Sequence, residues 1–141
     1  MLGRMGGESQ EPTGPPEPDA GRPLYLPRPE PGWSRAEVEI ALASDDVETA
    51  RNGLLAAAFD APDWRWAQEQ CLRFLAHPVL RGLAVICFGH VAMMHKQLDY
   101  ERIVPLLQRI RREEPDLAGS AYDALTDIQQ FVPAAHDLKI E

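Results

Sequence analysis

The chain is poor in the residues that carry most site chemistry. It has two cysteines, Cys71 and Cys87, and they form no CxxC unit. That argues against a disulfide-stapled scaffold and against a thiolate zinc site. Both stand in strongly apolar helical contexts, so they read as two buried free thiols, with a disulfide between them as the alternative. Serines are few: Ser9, Ser34, Ser44 and Ser120. There is no GxSxG, no phosphate loop and no glycine-rich dinucleotide turn. No apolar run approaches the roughly 20 residues of a spanning helix, and the N-terminus carries no apolar secretory segment. These absences point to a cytoplasmic protein without cofactor or resident metal.

Positive charge is also scarce. The net charge is −8. Residues 1–32 carry three Arg against five acids, residues 33–132 ten Lys and Arg against fifteen acids, and residues 133–141 one Lys against two acids. No segment is basic. A phosphate backbone rewards clustered Lys and Arg through counterion release, and an acidic chain forgoes that gain. Nucleic acid is therefore a poor partner for it. A protein with a basic surface is a better one, because opposite charge speeds encounter.

Proline divides the chain. Eight of its 13 prolines fall in residues 1–32. That segment has little apolar surface to bury and its prolines cannot sustain helix hydrogen bonding, so it reads as disordered. Leu24-Tyr25-Leu26, between Pro23 and Pro27, is its one apolar patch. The remainder divides into a helical body over residues 33–132 and a short tail over 133–141 that gives no clear signal.

Six helices are expected in the body. Ser34-Arg35-Ala36-Glu37 is a capping box that opens the first, with Trp33 placed to staple onto Val38. Ser44-Asp45-Asp46 separates it from a second helix reaching Phe59, with Asp45 and Glu48 in box spacing. Ala61-Pro62-Asp63 opens a third, with Trp64, Ala67, Cys71 and Leu75 on one stripe and Trp66 and Phe74 on a neighbouring one. Pro78 is suited to the first position of a fourth helix, which runs to His95 and is nearly all apolar. A fifth spans Asp99 to Glu113 with Pro105 inside it, and Pro115 opens a sixth ending near Val132.

Helices four and six repeat at an offset of 37 residues: Pro78 with Pro115, Gly82 with Gly119, Ala84 with Ala121, Phe88 with Leu125, Val91 with Ile128, and Met94 with Phe131. Helix two joins more loosely at an offset of 34, through Ala50, Leu54 and Ala57. Self-similarity at this period is the mark of a helical-repeat array. With a proline in a first helix at Pro105, and Arg81, Ala84 and Gly89 in a second, the body resembles the HEAT-like repeat family. Helix six departs from that pattern at Ala118 and Thr126, and helix three lacks the proline. The resemblance implies an all-α fold, a short α-solenoid of about three helical hairpins that presents a concave binding face.

A narrower resemblance rests on Asp63-Trp64-Arg65-Trp66, Arg81-Gly82-Leu83-Ala84, Gly89-His90-Val91 and Ala124-Leu125-Thr126-Asp127-Ile128. These are similar to small standalone bacterial HEAT-like proteins, some of which resemble immunity proteins of contact-dependent inhibition and related toxin systems. It implies a non-enzymatic module that occludes a protein partner. The alternatives are an adaptor or chaperone subunit of a larger complex, or a HEAT-like DNA glycosylase, which works on a concave Trp/Asp surface.

The chemistry-bearing residues read more plainly. His90 and His95 diverge by about 140° on one helix and do not make the i, i+4 pair of a helical metal site. Asp123 and Asp127 share a helix face. A solvated acidic ridge that meets a cationic partner is preferred for them over acid–base work. On a face lined by second helices, the partner contacts expected are Arg51, Trp66, Arg81, His90, Asp123 and Asp127.

Overall fold

A computed structural model describes residues 33–140. The segment 1–32, with Leu24-Tyr25-Leu26, lies outside the described residues, as does Glu141. Six α-helices follow one another: α1 (Arg35–Leu42), α2 (Val47–Asp60), α3 (Trp64–Phe74), α4 (Arg81–His95), α5 (Tyr100–Glu113) and α6 (Ala118–Phe131). Short 3-10 turns at Pro115–Leu117 and Pro133–Ala135 flank α6. There is no strand among the described residues.

Local signals set the helix starts. The Glu37 amide donates to Ser34 Oγ at 3.1 Å, and the Ser34 amide donates back to Glu37 Oε1 at 2.7 Å. That capping box satisfies two amides that have no partner within the helix. Asp46, rather than the expected Asp45, caps α2: its carboxylate accepts from the Thr49 amide at 3.0 Å and from the Thr49 hydroxyl at 2.6 Å. Those two bonds hold the Asp46 carboxyl below its ordinary value. Asp63 caps α3 through the amides of Arg65 and Trp66.

The start of α4 differs from the expectation. Pro78 does not open the helix. It sits in a turn over residues 78–80, and α4 begins at Arg81. His77 Nδ1 accepts from the Val79 and Leu80 amides, both at 3.0 Å, and so satisfies the turn that precedes the helix. At the other end Lys96 takes φ 57° and closes α4 through its amide to the Ala92 carbonyl. Pro105 lies inside α5 without ending it. An internal proline costs about 3 kcal/mol, and burial of Ile103, Leu107 and Ile110 on the same helix offsets it.

The helices pair as α1/α2, α3/α4 and α5/α6, and α2, α4 and α6 pack side by side as a layer. In the other layer, α3 and α5 are bridged by Arg102 and Glu69 at 2.7 Å and by the Asp99 amide donating to Gln68 Oε1 at 2.8 Å. The apolar helix α4 touches α2, α3 and α6 and stands at the centre of the core. The repeat positions are buried in all three second helices: Ala50, Ala84 and Ala121, then Leu54, Phe88 and Leu125, then Ala57, Val91 and Ile128. Two repeat expectations fail. Met94 is 46% exposed while Phe131 is half-buried. Gly119 has no close neighbour to accommodate, unlike Gly53, where an added Cβ would come within 2.9 Å of Ala41 Cβ.

The tail is part of the folded body. Ala135 is buried, and Leu138 and Ile140 pack against the core. Gln129 Nε2 donates to the Leu138 carbonyl at 2.6 Å, and Gln108 Nε2 to that of Lys139 at 3.2 Å. The folded unit therefore continues past residue 132. No strong sequence signal marked it, because two glutamines on earlier helices hold it in place.

Candidate protein-binding surface

Five of the six expected contact residues stand on α2, α4 and α6 and none of them is buried: Arg51, His90, Asp123 and Asp127, and also Arg81, which is tied to the other layer. The 37-residue repeat sets Asp127 of α6 against His90 of α4. The residue before His90 makes room for that approach. A Cβ built at Gly89 would stand 2.5 Å from Asp127 Oδ2 and 3.2 Å from Asp127 Cβ. Glycine at 89 is therefore what lets the Asp127 side chain lie flush on α4. Burial pushes the Asp127 carboxyl above its ordinary value, the nearby His90 opposes that, and Asp123 adds to it. Asp127 is thus half-buried in a crease, not on the freely solvated ridge that the sequence suggested.

His90 packs its ring against Phe59 of α2, with centroids 4.4 Å apart and planes tilted by 34°. Its Nδ1 is shielded from solvent and makes no hydrogen bond of ordinary geometry. Arg51 pairs with Glu48 through its Nη2, while its shielded Nε has no acceptor. Next to the carboxylates, Tyr122 is 46% exposed, with the Arg111 guanidinium 4.8 Å from its ring centroid. The face thus joins an aromatic pair, two carboxylates and an exposed tyrosine. Aromatic and arginine side chains dominate the energetics of protein interfaces. Neither Phe59 nor Tyr122 was among the partner contacts expected from the sequence, since their place on the layer follows from helix packing.

Arg81 and Trp66 are placed differently. Arg81 is used within the fold. Its Nε donates to Glu114 Oε1 at 3.0 Å, its Nη2 meets Glu114 Oε2, and its Nη1 donates to the Leu75 carbonyl at 2.6 Å. Those bonds tie the start of α4 to the end of α5, and Glu114 raises the Arg81 pKa. Trp66 belongs to α3, in the other layer. It is half-buried beside a cavity of about 300 Å³ that Trp33, Val38, Ala56 and Pro62 also line, with the Arg35 guanidinium 4.5 Å from its ring centroid. Trp64 is half-buried too, rather than core, with Arg65 over its ring.

His95 sits near the end of α4, where burial lowers its pKa and Asp63 opposes that. Cys71 and Cys87 are free and buried. Among the described residues no group of three or more His, Cys, Asp or Glu could hold a metal ion. None of the described helices is long and apolar enough to cross a membrane.

The chain is similar in structure to one chain of the crystal structure of a CDI complex from Cupriavidus taiwanensis LMG 19424. The TM-score is 0.66 and the sequences are 29% identical, over 78% of this chain and 99% of that one. No family model and no curated protein matches the chain.

Proposed function

We propose that this chain is an immunity protein of a contact-dependent inhibition system. It binds a toxin stoichiometrically and buries the toxin's functional surface, without turning over a substrate. The observation that carries this reading is the likeness to a chain of a CDI complex, which this chain spans almost end to end. The net charge of −8 supports a toxin with a basic surface, because complementary charge speeds association. The same charge argues against the DNA glycosylase reading.

On this reading the three helix pairs are HEAT-like repeats, and the layer of α2, α4 and α6 is the docking face. Arg51, His90, Asp123 and Asp127 contact the partner there. Arg81 serves the fold, and Trp66 contributes only if the partner wraps round to α3. The complex acts in the cytoplasm. Residues 1–32 are dispensable for folding, so a chain starting at residue 33 should keep its helical circular dichroism signal.

The test is co-expression of this chain with a candidate toxic domain from the same genome. Growth should be rescued, and a one-to-one complex should survive purification. Growth arrest by this chain alone would overturn the reading and make it the toxic member. Rescue at a small fraction of the toxin's concentration would point to turnover and overturn the stoichiometric mechanism.

A further inference from the structure

Away from the docking residues, a cavity of about 300 Å³ lies where α1, the end of α2 and the start of α3 meet. Its lining is mostly apolar. The buried Val38 and Ala56 and the half-buried Trp33 and Trp66 all contribute to it. Asp60 and Asp63 add negative charge to the same lining, beside Arg35. Arg35 is already engaged: its guanidinium stands 4.5 Å from the Trp66 ring centroid, and its Nε donates to Glu39 Oε2 at 3.2 Å. The cavity therefore suits an occupant with aliphatic and aromatic side chains and a positive charge.

This chain carries such a segment. Trp33 lines the cavity and is also the first described residue, so residues 1–32 are attached at the cavity wall. Within them, Pro23-Leu24-Tyr25-Leu26-Pro27-Arg28 supplies two leucines, a tyrosine and a cation. Flanking prolines favour an extended backbone that loses little entropy on binding, and aromatic-lined grooves recognise such backbone. Pro31-Gly32 is a turn signal directly before Trp33, and it lets the chain reverse over the wall. Leu26 is seven residues from Trp33. At about 3.1 Å per residue in the extended form, that tether is long enough to cross the cavity. Tethering also raises the local concentration of the segment to about the millimolar range, so a weak contact suffices.

We propose that the cavity is an intramolecular peptide site and that Leu24-Tyr25-Leu26 is its occupant. The leucines and the tyrosine ring cover Val38, Ala56 and the two tryptophans, and Arg28 meets Asp60 and Asp63. The segment acts as a strap that shields apolar surface beside the first helix pair, where an array lacks a preceding repeat. It leaves the docking residues accessible, because none of Arg51, His90, Asp123 and Asp127 lines the cavity.

The proposal does not depend on the toxin-binding reading and is tested on the full chain alone. A benzophenone side chain is introduced in place of Tyr25, the protein is irradiated, and the cross-linked peptides are identified by mass spectrometry. The expected product is a monomer joined within itself, from residue 25 to the cavity walls at Trp33, Val38, Ala56 or Trp66. Ala61→Arg places a large side chain in the cavity wall and should abolish that cross-link. Leu24→Ser with Leu26→Ser should abolish it too, without touching the helices. The same pair of changes, with Tyr25 in place, should increase the quenching of tryptophan emission by acrylamide. Circular dichroism of each variant checks that it has folded. Three results would overturn the proposal: no cross-link to the cavity walls, cross-links between two copies of the chain, or a cavity cross-link that survives Leu24→Ser with Leu26→Ser.

Discussion

The two ends of the second-helix layer are built differently. At the α4/α6 junction the repeat positions Ala84, Phe88, Val91, Ala121, Leu125 and Ile128 are all buried, and Gly89 admits the Asp127 side chain against the helix. At the α1/α2 end, among the described residues, the layer has a neighbour on one side only. Ile40 is 73% exposed, and the close approach is carried by Gly53 against Ala41 and Leu42. The junction gets its stability from large side chains in a closed core. The end relies on caps and on one tight backbone contact. Terminal repeats of an array are expected to differ in this way.

Truncation inside the junction should show the largest effect. Phe88→Ala should cost about 3–5 kcal/mol and Leu125→Ala about 2–5 kcal/mol, read as a lower urea midpoint. Ile40→Ala, by contrast, should stay within about 0.5 kcal/mol. Similar losses at Phe88 and Ile40 would erase the contrast.

The glycines sharpen it next. Gly53→Ala drives a Cβ into Ala41 Cβ and towards the Leu42 backbone. It should destabilise by about 1–3 kcal/mol, as overpacking does. Gly119→Ala meets nothing and relieves backbone entropy within a helix, so it should stabilise by about 0.5–1 kcal/mol. At the thin end, Ser34→Ala removes the capping box and should cost about 1 kcal/mol. Thermal melts of the three variants would rank them.

Asp127 gives a prediction with a sign. Its carboxyl titrates above its ordinary value in the folded chain, chiefly through burial. A raised acid adds stability below the unfolded pKa, and that contribution is lost as pH rises through the folded pKa. The charged form is thus the disfavoured one in the fold. Asp127→Asn should therefore gain stability relative to the native chain as pH rises from acid to neutral. A urea midpoint series across that range, on both proteins, would check it. A variant that loses stability at neutral pH would show that His90, not burial, governs the crease.

How far the sequence reached can be seen at particular residues. The 37-residue offset paired Ala84 with Ala121 and Phe88 with Leu125, because buried positions must repeat when helices stack at a fixed interval. Ser34 and Asp63 were readable as caps because capping is local. The rest depended on contacts distant in sequence. Arg81 looked like a surface contact until Glu114 was brought beside it. Asp127 looked solvated until Gly89 opened a place for it. The Pro78 turn was not legible from the proline alone, because it is held by His77 Nδ1 accepting from the Val79 and Leu80 amides.

The central claim is that an acidic edge of the α2/α4/α6 layer meets a basic partner. The most direct test is the association rate of the purified chain with the toxin that the proposed function assigns to it, measured by stopped flow across a salt series for the native chain and for Asp123→Lys with Asp127→Lys. The account predicts that the native rate falls as salt rises, and that the double variant associates about ten-fold or more slowly at low salt. Rates that are indifferent to both salt and charge reversal would contradict it.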